Sequence, residues 1–117
     1  MSMNSVTVLV CVHSPGARWD EYLSRALASL RAQTTAAFDT VVVLDECHPG
    51  THQIAVRDSP RGTRVLEKPT PKNGLAAAKN YGLQAITTDW VAFLDADDWY
   101  LPGLSLIHIS EPTRRYA

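Results

Sequence analysis

Asp95-Ala96-Asp97-Asp98 places three carboxylates within four residues, directly after the apolar run Trp90-Val-Ala-Phe-Leu94. Carboxylates this close repel one another unless a cation lies among them. Hard divalent cations such as Mg2+ and Mn2+ prefer oxygen ligands and bridge one or two carboxylates to substrate phosphates. The cluster is therefore a candidate metal–diphosphate site, where the cation offsets charge building on a diphosphate leaving group. The alternative is a solvated acidic turn. An EF-hand is excluded, because Trp99 and Tyr100 stand where a ligand and the turn glycine belong.

Other residues could serve the same site. Asp45 closes a second apolar run, Thr40-Val-Val-Val-Leu44, and could accept a hydrogen bond from a base N–H or a ribose hydroxyl; the alternative is a turn aspartate capping the next helix. Glu46 beside it is expected to face solvent. His13 stands where a first run opens into a loop; its ring could stack under a nucleobase, or be satisfied by loop backbone. Lys72, Asn73 and Lys79 flank or enter an alanine-rich segment, and Gly74 offers close backbone approach near a helix start, where free N–H groups favour anions. One of these lysines could reach a diphosphate, although each alone reads better as a surface lysine. Cys11, His13, Cys47, His48 and His52 follow no standard zinc spacing. No Gly-x-Gly-x-x-Gly, Walker or Gly-x-Ser-x-Gly sequence occurs.

The elements that would position these residues are legible from periodicity. Val6–Val12 is a continuous β-branched run suited to a strand buried on both faces. Asp20–Arg31 carries Tyr22, Leu23, Ala26, Leu27 and Leu30 at helical spacing, with Asp20 as the expected N-cap. Thr40–Leu44, Thr63–Glu67 and Trp90–Leu94 read as further strands, Thr51–Arg57 as a short helix, and Leu75–Ile86 as a helix. Strands alternating with helices predict an α/β fold with a mostly parallel sheet of about four strands. Ligands in such sheets bind beyond the carboxyl ends of the strands, and His13, Ser14, Asp45, Glu46, Asp95, Asp97 and Asp98 all fall there.

Bulk composition narrows the function. With 117 residues the expectation is one small domain. A formal net charge of −1 argues against a nucleic-acid partner, which a basic surface excess usually accompanies. No apolar run approaches the ~20 residues that span a bilayer, so no membrane segment is expected in this chain. Met1-Ser2-Met3-Asn4-Ser5 lacks a basic region, so the run behind it is a strand rather than a signal peptide. Cytoplasm is the default compartment, with membrane association of a longer parent left open; two cysteines make no disulfide framework there.

From Leu104 the pattern changes. Leu104-Ser-Leu-Ile-His-Ile-Ser-Glu-Pro-Thr-Arg114 has no clear period, and all eleven residues match the translation of a transposase-type sequencing adapter in one frame. Residues 1–103 are therefore expected to be the native N-terminal part of a domain, and 104–117 a non-native tail; the alternative is a genuine C-terminal strand or helix.

Together the blocks resemble the family 2 glycosyltransferases. Val6–Ser14, Tyr22–Thr34 and Val41–Asp45 look like the family's opening; Gly74-Leu-Ala-Ala-Ala-Lys-Asn-Tyr-Gly82 and Val91-Ala-Phe-Leu-Asp-Ala-Asp-Asp-Trp-Tyr-Leu-Pro102 are similar to its next two blocks. The resemblance implies a Rossmann-like GT-A fold, truncated here, that binds a nucleotide-diphosphate sugar of the UDP or GDP type. By position, Asp45 matches the carboxylate that contacts the base, His13 an aromatic base contact, and Lys72, loosely, a basic donor contact. Asp95 and Asp97 match the family's Asp-x-Asp, Asp97 being the foremost ligand for Mg2+ or Mn2+ and Asp98 its neighbour.

The chain also departs from the family. Cys11, Val12, His13 and Ser14 replace the usual Pro-Thr-Tyr-Asn, and Leu44 replaces the first of two aspartates that often end the second strand. The implied reaction is inverting transfer of the sugar to an acceptor hydroxyl. The family's general base comes from sequence after this block, so it is expected beyond residue 103. Two alternatives stand beside this reading. A nucleotidyltransferase that forms nucleotide sugars would usually show a glycine-rich, basic loop where His13-Ser-Pro-Gly16 stands. A non-catalytic nucleotide-binding fragment is the other.

Overall fold

A computed structural model describes residues 6–13, 17–33, 38–69, 75–95 and 110–112. Strand β1 (Val6–Val12) is followed by α1 (Ala17–Arg31), β2 (Asp39–Leu44), α2 (Pro49–Asp58), β3 (Arg64–Glu67), α3 (Leu75–Leu83), β4 (Trp90–Asp95) and β5 (Ser110–Pro112). The sheet order is β3-β2-β1-β4-β5, and the first four strands are parallel. The chain thus builds outward from β1 to β3, then returns to place β4 on β1's other side. Such a reversal opens a crevice at the carboxyl ends of the central strands.

Alternate residues of a strand serve opposite faces. Val8, Val10 and Val12 of β1 pack with Leu23, Ala26, Leu27 and Leu30 of α1 and Ala55 of α2. Leu9 and Cys11 face the other way, with Val41, Val43 and Ala78, beneath Tyr81 of α3. Both faces are covered, which is why β1 and β2 read as continuous apolar runs. At the far end from the crevice, Thr88 donates its hydroxyl to the Trp90 carbonyl at 2.9 Å, leaving Thr7 to donate to Thr88 at 2.7 Å.

Several boundaries differ from expectation for local reasons. Asp20 is not the cap of α1 but lies within its first turn. Helix α2 begins earlier, because Pro49 supplies the preset backbone of a first helical position. Thr63 is outside β3: its N–H and hydroxyl both bond the Pro60 carbonyl, at 3.2 and 2.6 Å, closing a turn whose third residue, Gly62, has φ +84°. Helix α3 stops at Leu83, where Ala85 and Ile86 continue in bonds to Gly82 and Leu83.

Strand β5 lies in the tail segment. Its three residues run antiparallel to β4, pairing Ala92 with Ser110, Val91 with Glu111 and Trp90 with Pro112. An open edge of a sheet accepts almost any extended backbone, and a three-residue ladder makes little demand on side chains.

Candidate functional site

The carboxyl tips of β1, β2 and β3 are laced together by main-chain bonds. Asp45 N–H donates to the Val12 carbonyl at 2.7 Å, and Lys68 N–H donates to the Leu44 carbonyl at 2.8 Å. The ladder register Leu44↔Glu67 therefore continues by one step to oppose Asp45 and Lys68. His13, just past β1, bonds the Asp45 carbonyl through Nδ1 at 3.0 Å. A carbonyl only accepts, so Nδ1 carries the proton in this arrangement. The exposed ring is thereby anchored to loop backbone, one of its two expected roles.

Asp45 is buried, and its Oδ1 lies 3.2 Å from Nζ of Lys68, whose side chain is only 2% exposed. The separation is that of an ion pair, yet neither atom has an aligned hydrogen-bond partner among the described residues. Attraction between the charges holds the pair; directional bonding does not. Glu46 follows at φ +52° and faces solvent, as expected. That left-handed turn costs a non-glycine residue roughly 1–2 kcal/mol. It returns the chain so that Cys47 Sγ donates to the Val12 carbonyl at 3.4 Å.

Asp20 has a different role from the cap the sequence suggests. Gly50 N–H donates to His48 Nδ1 at 3.3 Å, capping α2. The proton is then on Nε2, which donates to Asp20 Oδ2 at 2.6 Å, while the Thr51 hydroxyl donates to Asp20 Oδ1 at 2.7 Å. The buried carboxylate of α1 thus ties down the start of α2. A Cβ at residue 50 would lie 2.9 Å from His48 Cε1, so any larger residue there would push the His48 ring out of this position. Beside this cap a pocket of about 380 Å3 opens, walled by Cys47, His48, His52, Glu67 and Lys68 among others.

Asp95 is the last residue of β4, and its backbone is in register with Cys11. Asp45 and Asp95 therefore flank the end of β1 on opposite sides, roughly 10 Å apart across the two strand spacings. Asp97, Asp98 and Lys72 lie outside the described residues, as does Asn73. Lys79 points elsewhere: its ammonium sits 4.7 Å from the centre of the Phe93 ring, a cation–π contact. Among the described residues no three His, Cys, Asp or Glu side chains gather as metal ligands, and no helix is long and apolar enough to cross a membrane. The structure thus brings His13, Asp45 and Lys68 together. Lys68 escaped the sequence reading, though it follows β3 as Asp45 follows β2.

Known proteins resemble this chain in sequence and in fold. The family described as Glycosyl transferase family 2 matches residues 7–111. Glycosyltransferase GlyA of Streptococcus pneumoniae is 32% identical over 96 residues, which cover 82% of this chain and 13% of GlyA. Among solved structures, S. aureus TarS in complex with UDP-GlcNAc superposes with a TM-score of 0.69 at 24% identity, covering 83% of this chain and 28% of that one. The mannosyltransferase PcManGT from Pyrobaculum calidifontis, in complex with GDP-Man and Mn2+, gives 0.66 at 24% identity, covering 86% and 29%. The chain spans less than a third of each. The structural likeness establishes the GT-A fold, and with the family match running from β1 into β5, this chain belongs to glycosyl transferase family 2.

Proposed function

We propose that this chain is the donor-binding part of a glycosyltransferase that moves a sugar from a nucleotide-diphosphate sugar to an acceptor hydroxyl with inversion. The observation that carries the reading is the placement of Asp45 and Asp95 on either side of β1, at the sheet's reversal point. Asp45 would accept a hydrogen bond from the base, with the His13 ring beside it. Asp95, Asp97 and Asp98 would lie at the diphosphate, with Lys72 as a further donor contact. TarS and PcManGT, whose structures hold UDP-GlcNAc and GDP-Man, support a nucleotide-sugar partner of the UDP or GDP type.

The donor set suits a divalent cation, since carboxylate oxygens are what Mg2+ and Mn2+ select. PcManGT, bound to Mn2+, supports the same choice. When bound, the cation supplies positive charge against the departing diphosphate. The chain's own residues would orient the donor so that the acceptor oxygen approaches the anomeric carbon opposite the breaking C–O bond. A carboxylate beyond residue 103 would take the acceptor proton. On this reading residues 1–103 are the native part of the domain, 104–117 an appendage, and the protein works in the cytoplasm.

Calorimetry of this chain with UDP and GDP, with and without Mn2+, tests the proposal. Manganese should strengthen binding of one nucleotide, and Asp97→Ala should remove at least about tenfold of that gain, since each 1.4 kcal/mol of lost contact is a factor of ten. Unchanged manganese-dependent affinity in Asp97→Ala overturns the metal–diphosphate assignment.

A further inference from the structure

Resting on that donor-binding reading, we infer that Lys68 is a positioning residue for nucleotide recognition: its buried ammonium holds the Asp45 carboxylate aimed at the donor's base. Lysine is among the residues least often fully buried unless paired, and this side chain is 2% exposed. Among the described residues its ion partner is Asp45 Oδ1 at 3.2 Å, an atom as fully buried as Nζ itself. Burying either charge without the other is strongly unfavourable. The pair therefore exists as a unit, and the unit stands at the strand tips rather than in the core.

The backbone explains how the sequence achieves this. The Leu44↔Glu67 register and the Lys68 N–H bond to the Leu44 carbonyl bring the two residues opposite each other on neighbouring strands. Asp45 is held from the other side by its N–H bond to Val12 and by His13 Nδ1 on its carbonyl. The main chain of Asp45 is thus fixed at both neighbours, and Lys68 fixes what remains, the carboxylate. A carboxylate that recognises a base N–H gains from such preorganisation, because less ordering is left to do on binding. The two atoms that face each other, Asp45 Oδ1 and Lys68 Nζ, are both fully buried, so the pair orients the carboxylate and does not itself meet the base.

Lys68→Met removes the ammonium and keeps an unbranched apolar stem; Lys68→Arg keeps the charge. With Mn2+ present, Lys68→Met should bind the preferred nucleotide, UDP or GDP, at least about tenfold more weakly. Inorganic diphosphate, which lacks a base, should bind it as it binds the original chain. Lys68→Arg should recover most of the nucleotide affinity. In an Asp45→Asn background, Lys68→Met should change nucleotide affinity by less than about twofold, because the group it positions is gone. Nucleotide affinity undisturbed by Lys68→Met overturns the inference while leaving the donor-binding reading intact. Equal losses for nucleotide and diphosphate, unrescued by arginine, also overturn it, since they mark a purely structural lysine. A chain that binds neither nucleotide before any substitution overturns the donor-binding reading, and this inference with it.

Discussion

Gly82 sets how closely α3 packs on the sheet, and Gly82→Ala tests that packing directly. A Cβ at this position would stand 2.6 Å from Leu9 Cδ1, 2.8 Å from Val43 Cγ2 and 3.2 Å from Leu9 Cδ2. Leu9 is 1% exposed and Val43 0%, so neither can retreat into solvent. Leu9 meets the new atom with the end of a flexible side chain and could turn. Val43 is β-branched and stiff about its first torsion, so α3 or β2 must shift instead. Overpacking of this kind costs about 1–3 kcal/mol, and alanine recovers up to about 1 kcal/mol of helix propensity over glycine. The net expectation is a loss of roughly 1–2 kcal/mol. In urea, with a slope of about 2 kcal/mol/M for a small domain, the midpoint should fall by about 0.5–1 M with the slope unchanged. Val43→Ala added to Gly82→Ala should cost less than it does alone, because it vacates the space the new methyl needs. A midpoint for Gly82→Ala equal to or above that of the original chain would refute the argument.

The remaining predictions concern the far face of the sheet, where α1 meets α2. The Asp58 carboxyl is held below its ordinary value of 3.8, chiefly by hydrogen bonds from Arg57, against burial that pushes it up; Ser24 and Arg31 add to the lowering. A depressed carboxylate contributes its stability in full above the unfolded value and loses it as the pH falls through the folded one. Urea midpoints should therefore drop below about pH 3.8, and Asp58→Asn should flatten that acid limb relative to the original chain. His48→Ala removes the cap on Gly50 and the Nε2 donor to Asp20 together, and should cost about 1–3 kcal/mol of unfolding free energy. His48→Asn, which can still cap α2, should recover part of that loss; no recovery would place the whole effect on Asp20.

Periodicity read β1 and β2 well because both strands are buried on both faces. Val6–Val12 occupies β1 residue for residue, and Asp45 and Asp95 stand at strand tips where apolar runs end. What escaped was set by partners distant in sequence. Asp20 has the composition of a helix cap, but its oxygens are taken by His48 and Thr51, 28 and 31 residues away. No local preference encodes that choice. Thr63 suits a strand, yet the turn built on Pro60 and Gly62 claims its polar groups first.

Lys68 shows a different kind of omission, and one that a physical rule could have prevented. Charged residues after β2 and β4 drew notice because they were acidic and invited a metal or a base. The rule that ligands gather beyond the carboxyl ends of strands has no preference for sign. Applied to β3, it selects the residue after Glu67. A buried acid at one tip also calls for a compensating cation nearby, and in a parallel ladder the neighbouring strand's tip is the nearest place from which to supply it. Asp45 and Lys68 satisfy both conditions at 3.2 Å. The pairing of tips, rather than any single motif, is the physical unit from which this end of the sheet is built.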